Sequence, residues 1–207
     1  MQELLVVEVI PREKGRTSIR FDNGMEVLLY KGEVRKLSLR EGTVISREKY
    51  DEIIYEILGT RAKKRAMFLL ERMDRTEHQL REKLMQNGYP DVCVDLAVEY
   101  VRKYHYIDDL RYATTYISYQ QKKKSPQKLK MDLIAKGIEK SVIEQALDEV
   151  FDSDEQLKIR QLLEKKHYEP KECDRKEQQK IYQYLMRRGF KSSDILHVMK
   201  IWDEYEE

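Results

Sequence analysis

The chain is short of nearly everything from which a catalytic centre is usually read. It has two cysteines in 207 residues, Cys93 and Cys173, with no CxxC pair, which provides neither a zinc pattern nor a disulfide framework. Cys93 reads as a small core residue on a helix and Cys173 as a loop residue. The four histidines, His78, His105, His167 and His197, stand apart without HExxH or comparable spacing, so no metal site is expected. GxSxG, GxxxxGK(S/T) and GxGxxG are all missing, and with them the usual support for hydrolase, P-loop and dinucleotide-binding readings. There is no run of about 18 apolar residues and no basic-then-apolar leader, so neither a membrane span nor secretion is expected. Scarce cysteine fits a reducing, cytoplasmic setting. Carboxylates are plentiful but alternate with Lys and Arg, as on a solvated helix face. A non-enzyme without a cofactor is expected.

What is present is charge and periodicity. Charged residues make up 38% of the chain, 40 basic against 38 acidic, for a formal net charge of +2. That balance says little about partners, so local patches carry the information. When the glycines of LMQNGY, LIAKGI and LMRRGF are aligned, Gly88, Gly137 and Gly189, apolar residues recur at fixed offsets without a gap. The first copy supplies Leu80, Leu84, Tyr89, Val94, Ala97 and Val98; the second, Leu129, Leu133, Ile138, Ile143, Ala146 and Leu147; the third, Ile181, Leu185, Phe190, Ile195, Val198 and Met199. Positions four apart share a helical face, and a glycine free to take positive φ ends the helix. Each copy therefore reads as helix, tight glycine turn and helix, preceded by a further helix at 62–73, 110–124 or 154–166. The fold class is mostly α, a tandem array of three three-helix units.

A small antiparallel β segment of three to five strands precedes the array. Leu4 to Ile10 is β-branched and stops at Pro11, and TSIRF and MEVLLY flank Asp22-Asn23-Gly24, a hairpin signal. Shorter strand candidates are Val34 to Leu37 and Thr43 to Ile45. Ser46 opens a connecting helix with Tyr50, Ile53, Ile54 and Ile57 on its apolar face, ended by Gly59-Thr60. The expected division is 1–45 (β segment), 46–60 (connector), 61–107, 108–152 and 153–207 (three-helix units 1 to 3). The β segment reads as a cap over the first exposed repeat face. In the third unit the loop around Pro170 is longer than its counterparts, and Trp202 is expected to pack back before a frayed acidic end.

Tandem three-helix units, RTEHQLREKLMQNGY and the linking YIDDLRYA together resemble the RecX family, regulators of the bacterial RecA recombinase, over residues 61–205. Arg75, Thr76, Leu80, Lys83, Leu84 and Gly88 match the first-unit pattern, although His78-Gln79 stands where the family often has an acidic residue. Ile107, Asp108, Asp109, Arg111, Tyr112 and Ala113 match the linking motif. The resemblance implies a protein that binds RecA filaments on single-stranded DNA and inhibits their recombinase, ATPase and coprotease activities, modulating DNA repair and the SOS response. A monomer, with weak direct DNA binding besides, is a separate expectation. The β segment lies outside the family core.

Physically, Asp108 or Asp109 is placed to cap the next helix. Arg111 reads first as a local ion pair and second as a partner contact. Basic clusters occur at Lys63, Lys64 and Arg65, at Lys165 and Lys166, and at Arg187, Arg188 and Lys191. The densest is Lys122, Lys123, Lys124, Lys128 and Lys130, which would set up a local positive field for phosphate or an acidic protein surface. Tyr112, Tyr116 and Tyr119 form a stripe at helical spacing, more often core than a base-stacking platform. A rival reading, helix-turn-helix units gripping duplex DNA, is opposed by PDVCVDLAVEY and KSVIEQALDEV, which hold more acid than base.

Overall fold

The computed structural model describes residues 3–151, 154–169 and 173–204, with side chains of the last helix as far as Met199. Pro170, the Trp202 side chain and the last residues of the acidic end lie outside it. The chain forms two compact units, residues 1–108 and 109–207.

In the first unit, strands β1 (Leu4–Pro11), β2 (Arg16–Phe21), β3 (Glu26–Tyr30) and β4 (Val44–Ile45) form an antiparallel sheet in the order β3-β2-β1-β4. The Asn-Gly signal gives the expected hairpin, with Gly24 at φ 81° and the Asn23 Oδ1 accepting from the Met25 N–H at 3.0 Å. Val34–Leu37 is no strand: it falls in and just after helix α1 (Lys31–Lys36). The reason is local. The Glu33 carboxylate accepts from the Tyr30 N–H at 2.8 Å, satisfying an amide at the helix start, and it also pairs with Arg61, which lies over the Tyr30 ring.

Ser46 caps α2 (Arg47–Asp51) as expected, its Oγ accepting from the Lys49 N–H at 3.3 Å. The expected stop at Gly59 does not occur. The helix continues through a wider π-type stretch, Glu52–Gly59, into α3 (Thr60–Arg72). Helices α4 (Glu77–Gln86) and α5 (Asp91–Lys103) complete the first three-helix unit. Gly59 keeps φ −60° and needs no left-handed freedom. A Cβ there would stand 3.2 Å from Leu96 Cδ1, so the bare backbone lets α5 lie close. Sheet and helices share one apolar cluster that runs from Leu4, Ile19, Phe21 and Leu29 to Ile54, Leu80, Leu84 and Val98.

Residues 109–207 carry α6 (Asp109–Gln120), α7 (Pro126–Ile134) and α8 (Lys140–Val150), then α9 (Glu155–Glu164), α10 (Arg175–Arg187) and α11 (Ser192–Glu204). Each triplet encloses its own apolar cluster, one around Ile117, Leu129 and Leu133, the other around Ile159, Leu185 and Phe190. The three corner glycines sit at φ 87°, 81° and 84°, and every residue of the aligned apolar register is buried or packed against its cluster. The middle helices open on side-chain caps: Thr76 accepts from the Gln79 N–H at 3.2 Å, Ser125 from Lys128 at 3.3 Å and Asp174 from Glu177 at 2.7 Å. Gln79 also accepts from the Thr76 N–H at 3.3 Å, so its amide closes a reciprocal capping box.

Candidate partner-binding site

The lysines singled out from the sequence lie where α6 turns into α7, but they do not act as one group. Lys122 and Lys123 are exposed in the connecting turn. Lys124 Nζ donates to Asp132 Oδ2 at 2.7 Å and to the Tyr116 hydroxyl at 3.0 Å, and Lys128 Nζ lies 3.1 Å from Asp132 Oδ1. Lys130 reaches Glu144 at 3.3 Å across two largely exposed side chains, a weak and easily screened pair. One carboxylate thus neutralises much of the middle of the cluster. Burial works against ionisation of Asp132, but the hydrogen bonds from Lys124, Lys128 and Tyr116 outweigh it and hold its carboxyl below the ordinary range. Burial likewise opposes the Lys124 charge, and the bonds to Asp132 and Tyr116 raise its pKa in spite of it. Asp132 was not among the sequence candidates. The signal for it was the four-residue spacing from Lys128, which sets both on one helix face.

Arg111 is exposed in the first turn of α6, and its carbonyl accepts from Thr114 Oγ at 3.0 Å. Of the tyrosine stripe, Tyr112 and Tyr116 are half-buried against the cluster, and the Lys136 ammonium stands 5.7 and 5.5 Å from their ring centres. Tyr119 is 77% exposed: it sits one residue from the end of α6, beyond the reach of the core.

The remaining basic clusters are dispersed. Arg65 Nε donates to Asn87 at 2.8 Å, while Lys166 and Arg188 lie over the Tyr184 ring at 5.1 and 3.7 Å. The helices that follow the corner glycines show acid to solvent, with Asp91, Asp95 and Glu99 exposed on α5 and Glu144, Asp148 and Glu149 on α8, a poor match to duplex phosphates. Cys93 is fully buried and its thiol donates to the Ile54 carbonyl at 3.3 Å; burial pushes it up to about 11, which makes it inert. Among the described residues no group of His, Cys, Asp and Glu could hold a metal ion, and no helix is long and apolar enough to cross a membrane.

The comparisons with known proteins agree with this layout. Family profiles described as RecX first, second and third three-helix domains match residues 62–100, 108–147 and 153–199 in that order. A protein named Regulatory protein RecX from Clostridium acetobutylicum is 30% identical over 94% of this chain and 93% of its own length. One of the same name from Caldanaerobacter subterraneus subsp. tengcongensis is 30% identical over 93% and 96%. The crystal structure of RecX from Lactobacillus salivarius, 25% identical, covers 70% of this chain and 97% of its own with a TM-score of 0.59. A further RecX crystal structure, at 24% identity, shares the fold with a TM-score of 0.61 over 95% of this chain and 99% of its own. With its three unit types matched in order and its relatives matched along nearly their full length, the chain belongs to the RecX family of regulatory proteins.

Proposed function

We propose that this protein binds RecA filaments on single-stranded DNA and restrains their recombinase, ATPase and coprotease activities, acting as a cytoplasmic monomer without chemistry of its own. The observation that carries the reading is its membership of a family of regulatory proteins across all three units. Consecutive helical units give several separate contact surfaces, and many modest contacts on a repeating partner add up to firm binding. In this reading Lys122 and Lys123, exposed in their turn, supply long-range attraction to phosphate or acidic surface. Arg111, Lys124, Lys128 and Lys130 complete the contact, Lys124 and Lys128 by leaving Asp132 for the partner.

The test is ATP turnover by preformed filaments across a titration of the protein at well below one molecule per recombinase subunit. Slowed turnover is expected, and replacing Lys122 and Lys123 by Gln should weaken it most at low salt, where attraction is least screened. A protein that merely occupied bare DNA would inhibit only when it met the strand first and would be titrated away by excess free DNA. Either result rejects the filament reading.

A further inference from the structure

The first three-helix unit carries a surface of its own, apart in sequence from the lysine cluster. Along the seam where α3 lies beside α5, Phe68 is 39% exposed, Tyr104 53% and Tyr106 47%, with Tyr100 at their edge. A groove of about 370 Å³ opens between the helices, lined by Lys63, Lys64, Met67, Phe68, Glu71 and Tyr100. Aromatic, methionine and arginine side chains gathered in one exposed place make the composition of an interaction hot spot rather than of ordinary surface. Its rim is cationic. Among the described residues Lys63, Lys64, Arg72 and Lys103 enter no ion pair, and Glu71 is the one carboxylate lining the groove.

The ring geometry says which polyanion fits. A stacked base needs an open aromatic face. Here the Arg72 and Arg65 guanidiniums lie 4.2 and 5.1 Å from the Phe68 ring centre. The Tyr100 and Tyr104 rings tilt against each other at 4.9 Å, with Lys63 over the first at 5.8 Å and Lys103 over the second at 5.9 Å. Cations or a neighbouring ring thus already occupy part of the Phe68, Tyr100 and Tyr104 faces. What the seam offers besides is a partly apolar groove and cations whose stems already lie along the rings. We propose that the α3–α5 seam docks an acidic protein segment whose apolar or aromatic side chain fills the groove while its flanking carboxylates pair with Lys63, Lys64, Arg72 and Lys103. The proposal does not depend on the recombinase as the partner.

Fluorescence anisotropy of the full-length protein tests it with three labelled probes: a short Asp/Glu-rich peptide with one central Phe, the same peptide with Ala in its place, and an oligothymidylate of matched charge. The Phe peptide should bind about tenfold more tightly than the Ala peptide, a difference of about 1.4 kcal/mol. Phe68→Ala and Tyr104→Ser, both at exposed positions, should each weaken it about tenfold while helical circular dichroism is unchanged. Lys63→Gln with Lys103→Gln should weaken it chiefly at low salt. Equal binding of the two peptides, or none by the Phe peptide, overturns the proposal. So does tighter binding of the oligothymidylate that is lost in the same variants, which would make the seam a nucleic-acid site.

Discussion

Asp132 decides how much of the lysine run faces a partner. It holds Lys124 at 2.7 Å and Lys128 at 3.1 Å, so Asp132→Asn should release both, and filament binding should tighten severalfold at low salt. The same change should lower stability by roughly 1 to 2 kcal/mol, the usual worth of charge-assisted hydrogen bonds in a partly exposed site. The sign with pH follows from the direction of each shift. The Asp132 carboxyl is held below its unfolded value, so its stabilisation is present above about pH 4 and is lost as pH falls through the folded value. Lys124 is held above its unfolded value, so its share is present below about pH 10 and is lost as pH rises through the folded value. Urea midpoints of wild type and Asp132→Asn measured from neutral to acid pH should therefore converge; a gap that stays constant would show that the ionised carboxylate is not what stabilises the network. The lysines were legible as a cluster because composition alone reveals them, whereas their neutralisation was not, since it depends on which carboxylate the α6–α7 turn brings back.

At the scale of the element, one residue type had two meanings. The corner glycines were readable because each closes a helix between aligned apolar residues, and their positive φ follows. Gly59, which follows Leu58 and precedes the polar Thr60, continues its helix, and what its missing side chain admits is the neighbouring Leu96, a contact that no local pattern encodes. Gly189 combines both meanings. Its carbonyl accepts from Ser125 Oγ at 2.6 Å, the Ser125 N–H donates to the Arg188 carbonyl at 3.0 Å, and a Cβ at 189 would come within 2.6 Å of that hydroxyl and 2.7 Å of Lys128 Cβ. The turn between α10 and α11 is thereby locked to the start of α7. Gly189→Ala should cost about 2 to 4 kcal/mol, adding left-handed backbone strain to overpacking. Gly15→Ala, at φ 72° with nothing within 4 Å of the added carbon, should cost only the backbone share of about 1 to 2 kcal/mol. Equal losses in thermal unfolding would mean that the lock is slack.

At the scale of the molecule, the three-helix units were visible in sequence because they rest on local periodicity, and a sheet capping the first of them was expected from the need to cover an end, but the residues that join the two were not legible. That union is made of distant pairs: Glu33 with Arg61, and Leu28 against Gly88, whose added Cβ would lie 3.2 Å from Leu28 Cδ2. Residues 1–108 share one apolar cluster, so that fragment should unfold cooperatively in urea, while a fragment of residues 46–108, stripped of Ile19, Phe21, Val27 and Leu29, should show no cooperative transition. A sharp transition from the shorter fragment would make the sheet an ornament. The Ser125–Gly189 lock carries a different consequence, one of order in time. Its two ends are 64 residues apart, whereas the apolar cluster that joins the sheet to the first three-helix unit is complete once residue 108 has been made. The start of α7, by contrast, must wait with its serine hydroxyl and amide turned to water until nearly the whole chain has been made.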